Sequence, residues 1–134
     1  MLGAAGGVVA SLAAMAYIEI ARSMQLLSVQ RVDQMADRAW LAALAIAAAP
    51  VFEEFIFRGL VFGGLRRSFD PAVATLASAA IFAIVHPPVS VIPVFIMGVC
   101  AAVIYERTKV LAAPMTVHAV YNAAVLGFQW NVMQ

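Results

Sequence analysis

The sequence predicts an all-α fold, a polytopic transmembrane helical bundle of about four to five membrane helices. Three observations predict it. Hydrophobic residues make up 65% of the chain and charged residues 11%, where a soluble domain has about 45–50% apolar and about 25% charged residues. The mean hydropathy is +0.97. Apolar runs close to the roughly 20 residues that span a bilayer core alternate with short polar breaks. The 134 residues fit one domain by the usual prior of about 100–200 residues.

The first run, residues 2–21, reads as a membrane helix with Glu19 near its end. Ala14-Met15-Ala16 is similar to a signal-peptidase site, but no basic segment precedes the run, so a retained helix is the better reading. Residues 22–38 mix Gln25, Gln30, Arg31, Asp33 and Asp37 with apolar positions, the pattern of an amphipathic helix lying at the membrane interface. A second apolar run goes from Trp40 to Phe62, interrupted by Glu53, Glu54 and Arg58, and closes at Gly63-Gly64.

Asp70-Pro71 is a helix start with a mechanism. An aspartate can cap the free N–H groups, and proline at the first helical position lacks a donor that would be orphaned anyway. This helix is expected to reach about His86, where Pro87-Pro88 end it, since neither ring continues the hydrogen-bond ladder. A fourth run spans Val89 to Tyr105, closed by Glu106, Arg107 and Lys109, and a fifth spans Leu111 to about Trp130 with Pro114 in its first turn. The alternate loops hold Arg66, Arg67, Arg107 and Lys109 on one side against Arg22, Arg31 and Arg38 on the other, so charge sets no orientation.

The composition excludes several function classes. The formal charge is +1 with no basic stripe, which argues against a nucleic-acid partner. Cys100 is the single cysteine, so neither an internal disulfide nor a thiolate metal cluster can form, and it reads as a packing thiol in an apolar stretch. None of the serines stands at a recognisable motif spacing from a histidine or lysine.

The informative residues are polar ones inside apolar runs. A charge near the bilayer centre costs about 2.5–3.5 kcal/mol even on lenient insertion scales, so Glu53, Glu54 and Arg58 need a reason. Glu54 and Arg58 are four apart and can pair along a helix. Glu53 points about 100° away from Glu54, free to face a cavity. His86 and His118 lie in two further runs, and Asn122 follows His118 by one turn on the same face. This set holds what amide hydrolysis needs. A carboxylate can take a proton from water as general base, and either adjacent glutamate can fill that role. A histidine can position the same water, while a second histidine and an amide NH₂ can donate to the oxyanion. No H-E-x-x-H signature is present, yet Glu53, His86 and His118 could form a three-ligand zinc site, the alternative to a cofactor-free reaction. A catalytically silent membrane protein, an immunity factor or scaffold, is the competing class.

Glu53-Glu54-Phe55-Ile56-Phe57-Arg58, Phe82-Ala83-Ile84-Val85-His86 and His118-Ala119-Val120-Tyr121-Asn122 match E-E-x-x-x-R, F-x-x-x-H and H-x-x-x-N in that order. In this the chain resembles the CAAX prenyl protease and bacteriocin-processing family, also called the Abi family, from about Trp40 to Trp130. Ala102 departs from a glycine frequent there. The resemblance implies two parts, residues 1–39 as an N-terminal membrane helix with its polar connection and residues 40–134 as the catalytic helical core. It implies an intramembrane endopeptidase of the glutamate type, working without a metal, in which Glu53 is the general base, His86 holds the water, and His118 and Asn122 form the oxyanion hole. Glu54 and Arg58 would support them. The implied partner is a membrane-associated or lipidated peptide, processed at a CAAX-type C-terminus or as a bacteriocin or other leader peptide, and the implied location is the cell membrane of a prokaryote.

Overall fold

The computed structural model describes residues 2–24 and 35–132. Within them the chain forms five helical rods and no strand. Helix α1 is Leu2–Ser23. Rod α2 covers residues 35–65, and α3 is Pro71–Ile84. A single 3₁₀ turn, Pro88–Ser90, leads into α4, Val91–Thr108, and α5 is Ala112–Val132. Gly3–Ser23, Ala39–Leu65 and Pro88–Thr108 are long and apolar enough to cross a membrane. Pro71–Ile84 is a shorter apolar helix, and α5 is long but diluted by His118, Tyr121, Asn122 and Gln129. The centre of the expected interfacial helix, residues 25–34, lies outside the described residues.

Two local departures from the sequence reading shape the site. The first is that α2 is not a uniform α-helix: α-helical pieces at Met35–Ala43, Ala49–Glu54 and Gly63–Leu65 are separated by π-helical turns at Leu44–Ala48 and Phe55–Phe62. Pro50 explains the first of these. It has no N–H to return to Ile46, and in the widened turn the Ala49 N–H reaches back to the Leu44 carbonyl, five residues away. The Ala45 carbonyl is thereby left without its helical donor.

The second departure is that α3 stops at Ile84, with Val85 as its C-cap, so His86 lies just beyond the helix rather than in it. A residue preceding proline is pushed away from helical geometry, and Pro87 acts one residue earlier than expected. The start of α3 is as read. Asp70 accepts from the Ala72 and Val73 N–H groups at 2.8 and 3.0 Å, with Pro71 in the first turn. Helix α4 ends at Lys109 in the left-handed conformation (φ 55°), whose N–H donates to the Tyr105 carbonyl at 2.7 Å. Glu106 there binds Arg66, the residue that follows α2, through two 3.3 Å contacts and Lys109 at 2.6 Å, tying the ends of α2 and α4 together.

One core joins four rods: Ala10 and Ala14 of α1, Phe82 and Ala83 of α3, Val94, Met97 and Ala101 of α4, and Val117 and Tyr121 of α5. Small residues make the contacts close, as membrane helices require when lipid supplies no hydrophobic drive between them. A Cβ at Gly7 would sit 2.7 Å from Val120 Cβ, and one at Gly98 would sit 3.2 Å from Ala79. Large apolar side chains face outward instead, among them Trp40, Phe52, Leu60 and Ile84, the arrangement of a protein whose solvent is lipid.

Candidate active site

The end of the Ala49–Glu54 piece sends two adjacent carboxylates in different directions. Glu54 is fully buried, whereas the Glu53 side chain keeps 33% of its exposure. Glu54 Oε2 lies 2.9 Å from Arg58 Nε, an ion pair whose angle falls short of a hydrogen bond. Its other oxygen accepts from His118 Nδ1 at 3.0 Å. Arg58, equally buried, donates through Nη2 to the Gly98 carbonyl at 3.1 Å and stacks its guanidinium 4.9 Å from the Phe82 ring centroid. A buried pair of this kind depends on further hydrogen bonds at both ends; His118 bonds Glu54 and Gly98 bonds Arg58, while Arg58 Nε and Nη1 have no hydrogen-bond partner among the described residues.

Glu53 faces the other way, into a cavity of about 270 Å³ whose wall also includes His86, His118 and Asn122. The four residues from three sequence motifs therefore line one space inside the bundle. Glu54 and Arg58 do not reach it and stand behind it. Tyr121 and Met97 complete the core side of the wall, and Ala45, Ala49, Val125 and Leu126 make the rest apolar.

Each imidazole is oriented by a partner on Nδ1. His86 follows the end of α3, where the last carbonyls lack helical donors. Its backbone N–H goes to the Ala83 carbonyl at 3.1 Å, and its ring Nδ1 donates to the Phe82 carbonyl at 2.8 Å. With both Nδ1 atoms acting as donors, a tautomer assigned from the network, the two Nε2 atoms point at the same target. Glu53 Oε2 is 3.9 Å from His86 Nε2 and 3.8 Å from His118 Nε2. Those separations exceed hydrogen-bond length, so neither imidazole bonds the carboxylate directly. Glu53 Oε2 has no direct partner among the described residues.

Asn122, expected as an oxyanion donor, spends one N–H on structure. Its Nδ2 donates to the Ala45 carbonyl at 2.6 Å, the carbonyl that the widened turn of α2 leaves free. The second N–H of the amide is available to the cavity it lines.

Sequence reasoning passed over Phe82 except as a motif letter. Its ring lies 4.7 Å from the His86 ring, 5.7 Å from that of His118 and 4.8 Å from that of Phe57, so one side chain packs against both imidazoles and the guanidinium. Its place four residues before His86 was the available signal. The Ala45 carbonyl could have been suspected only from Pro50.

Tetrahedral zinc ligands at about 2.0–2.1 Å from the ion sit about 3.3–3.4 Å from one another, closer than the 3.8 and 3.9 Å found here. Among the described residues no group of three His, Cys, Asp or Glu side chains is arranged to hold a metal ion.

Comparison with known proteins decides the family. The family model "Type II CAAX prenyl endopeptidase Rce1-like" matches residues 35–124, from the start of α2 into α5. The chain belongs to this family. Over 87 residues it is 38% identical to the "Membrane-embedded CAAX protease MroQ" of Staphylococcus aureus (strain USA300), a match covering 60% of this chain and 35% of that protein. Over 81 residues it is 36% identical to the "Putative membrane peptidase YdiL" of Bacillus subtilis (strain 168), covering 60% of this chain and 33% of that protein. These matches span about a third of the length of those relatives. No solved structure matches the chain. All three Rce1-like motifs fall inside the matched residues, and α1 falls outside them.

Proposed function

We propose that the chain carries the hydrolytic centre of an intramembrane peptidase of the glutamate type. The observation that supports this most is the convergence of Glu53 Oε2 with two imidazole Nε2 atoms at 3.8 and 3.9 Å on the wall of a cavity inside an apolar bundle.

In this reading a water bridges Glu53 and His86, and Glu53 takes its proton as the oxygen attacks the peptide carbonyl. His86 accepts from the same water through Nε2, held by the Phe82 carbonyl at its other nitrogen. The free N–H of Asn122 and the Nε2 of His118 donate to the oxyanion. His118 can do so only as the imidazolium, whose Nδ1 proton Glu54 then accepts. Glu53 finally returns its proton to the departing amine. Arg58 acts at one remove by holding Glu54 in place. The reaction needs no metal.

The substrate proposed is a membrane-associated or lipidated peptide, its reacting segment extended along the apolar wall of Ala45, Ala49, Val125 and Leu126. Because MroQ and YdiL are bacterial proteins, a leader peptide or other membrane-proximal sequence suits the site better than a prenylated C-terminus, and the cell membrane of a prokaryote is the proposed location. A silent scaffold is the alternative, favoured by one observation: the Asn122 amide already joins α5 to α2.

Glu53→Gln and His86→Ala, assayed on candidate membrane peptides beside a measure of folded protein, separate the two. The peptidase reading expects each variant to fold and to lose about 10²–10⁴-fold in cleavage. Full function in both overturns it. The same assay after complete metal removal expects unchanged cleavage by the unsubstituted protein, and activity restored only by added zinc would replace the metal-free mechanism.

A further inference from the structure

Two features at the end of the bundle away from the cavity are not used by the proposed reaction. Two grooves run along α4 on opposite sides and meet at its last turn. One, about 450 Å³, lies between α3 and α4 with Leu76 on its far wall. The other, about 340 Å³, lies between α1 and α4 with Val9 on its far wall. Both are lined by Val103 and both end at Arg107. Val9 and Leu76 are 61% and 54% exposed, so the grooves open outward, toward what surrounds the helices.

The charge at this end is unevenly spent. Glu106, at the edge of the first groove, is taken by Arg66 and Lys109. Asp70 is occupied in capping α3. Arg107 is exposed and makes no ion pair among the described residues. One free guanidinium thus heads two apolar troughs that share a single residue as their dividing ridge. A two-tailed amphiphile with a negative head complements that layout: one chain lies on each side of Val103 while the phosphate meets Arg107, the fork geometry that guanidinium offers to phosphate oxygens. A zwitterionic lipid would fill the troughs equally well but would bring a cation of its own to Arg107.

We infer that the Arg107 end of α4 is a binding site for an anionic phospholipid of the surrounding bilayer, its two acyl chains straddling Val103 in the grooves against α3 and α1. The inference stands apart from the peptidase reading, since it invokes none of the cavity residues and its test measures no cleavage.

The test is native mass spectrometry of the full chain equilibrated with equal amounts of dioleoyl phosphatidylglycerol and dioleoyl phosphatidylcholine. The unsubstituted chain is expected to retain the anionic lipid about fivefold more often, the preference one basic residue near a membrane surface provides. Arg107→Gln should bring the ratio to about one, Arg107→Lys should keep most of it, and Arg67→Gln, at the same end but outside both grooves, should leave it unchanged. Val103→Trp fills both troughs and should lower retention of both lipids. Where that variant fails to fold, one-chain lysophosphatidylglycerol supplies the same comparison and should be held less than the two-chain form. Equal retention of the two lipids by the unsubstituted chain overturns the site. So does a preference untouched by Arg107→Gln, or one lost as fully in Arg67→Gln, which would mean a diffuse surface charge.

Discussion

Glu53 and Glu54 are chemically identical and adjacent in sequence, and the protein places them in opposite circumstances. Glu54 has a partner for each oxygen, Arg58 on one and His118 on the other, and no exposure. Glu53 has a third of its side chain accessible and an oxygen that two imidazoles approach without bonding. The difference comes from rotation about the helix axis, about 100° per residue, which turns one carboxylate toward Arg58 and His118 and the other toward the cavity. The buried carboxylate braces the bundle and the open one lines the cavity, so under the proposed reaction the two positions should fail in different ways when altered.

Arg58→Met gives the largest contrast. It leaves Glu54 as a buried charge with one partner removed, a loss of about 3–5 kcal/mol in stability, read as a lower midpoint in denaturant titration in detergent. Glu53→Gln should lower stability by less than about 0.5 kcal/mol while slowing cleavage about 10²–10⁴-fold, and comparable destabilisation by the two substitutions would erase the distinction drawn between them.

Asn122→Ala probes a residue that belongs to both sides. Losing the oxyanion donor should lower turnover about 10²–10³-fold. Losing the bond to the Ala45 carbonyl should cost about 1–3 kcal/mol of stability. A stability loss with unchanged turnover per folded molecule would assign Asn122 to the frame alone.

The smallest effect is expected at Asp70, far from both carboxylates. Asp70→Ala removes the cap of α3 and should cost about 1 kcal/mol, with turnover per folded molecule preserved. A marked fall in that turnover would show that the frame and the reacting groups are coupled through α3.

Much of this was legible from residue spacing. The Glu54–Arg58 pair follows from a separation of four, the divergence of Glu53 from a separation of one, and the start of α3 from Asp70-Pro71, because each depends on local helix geometry. The convergence of Glu53, His86, His118 and Asn122 on one cavity could be anticipated from the cost of polar groups in lipid, although no spacing rule yields their distances. What stayed hidden involves the backbone or a packing partner distant in sequence. His86 stands outside α3 because Pro87 acts on the residue before it. Asn122 is bound to a carbonyl that exists as a free acceptor only because α2 widens near Pro50. The contacts of Phe82 with both imidazoles and Arg58 depend on how α2, α3 and α5 pack, which periodicity within one segment does not encode. The Phe55–Phe62 π turn has no comparable cause in its own residues.

The widened turn at Leu44–Ala48 also acts as an angular offset. A helix with one residue more per turn delays the rotation of everything that precedes it, so the bearing of Trp40 and Leu41 relative to Glu53 is fixed by that single surplus residue. Returning the turn to ordinary pitch with every residue kept would swing the outward-facing tryptophan by about 100° against the carboxylate, whereas deleting one alanine along with the bulge would leave its bearing nearly as it is. The bulge is in effect a phase setting, through which the half of α2 that meets the lipid and the half that carries the two glutamates can each keep its own face.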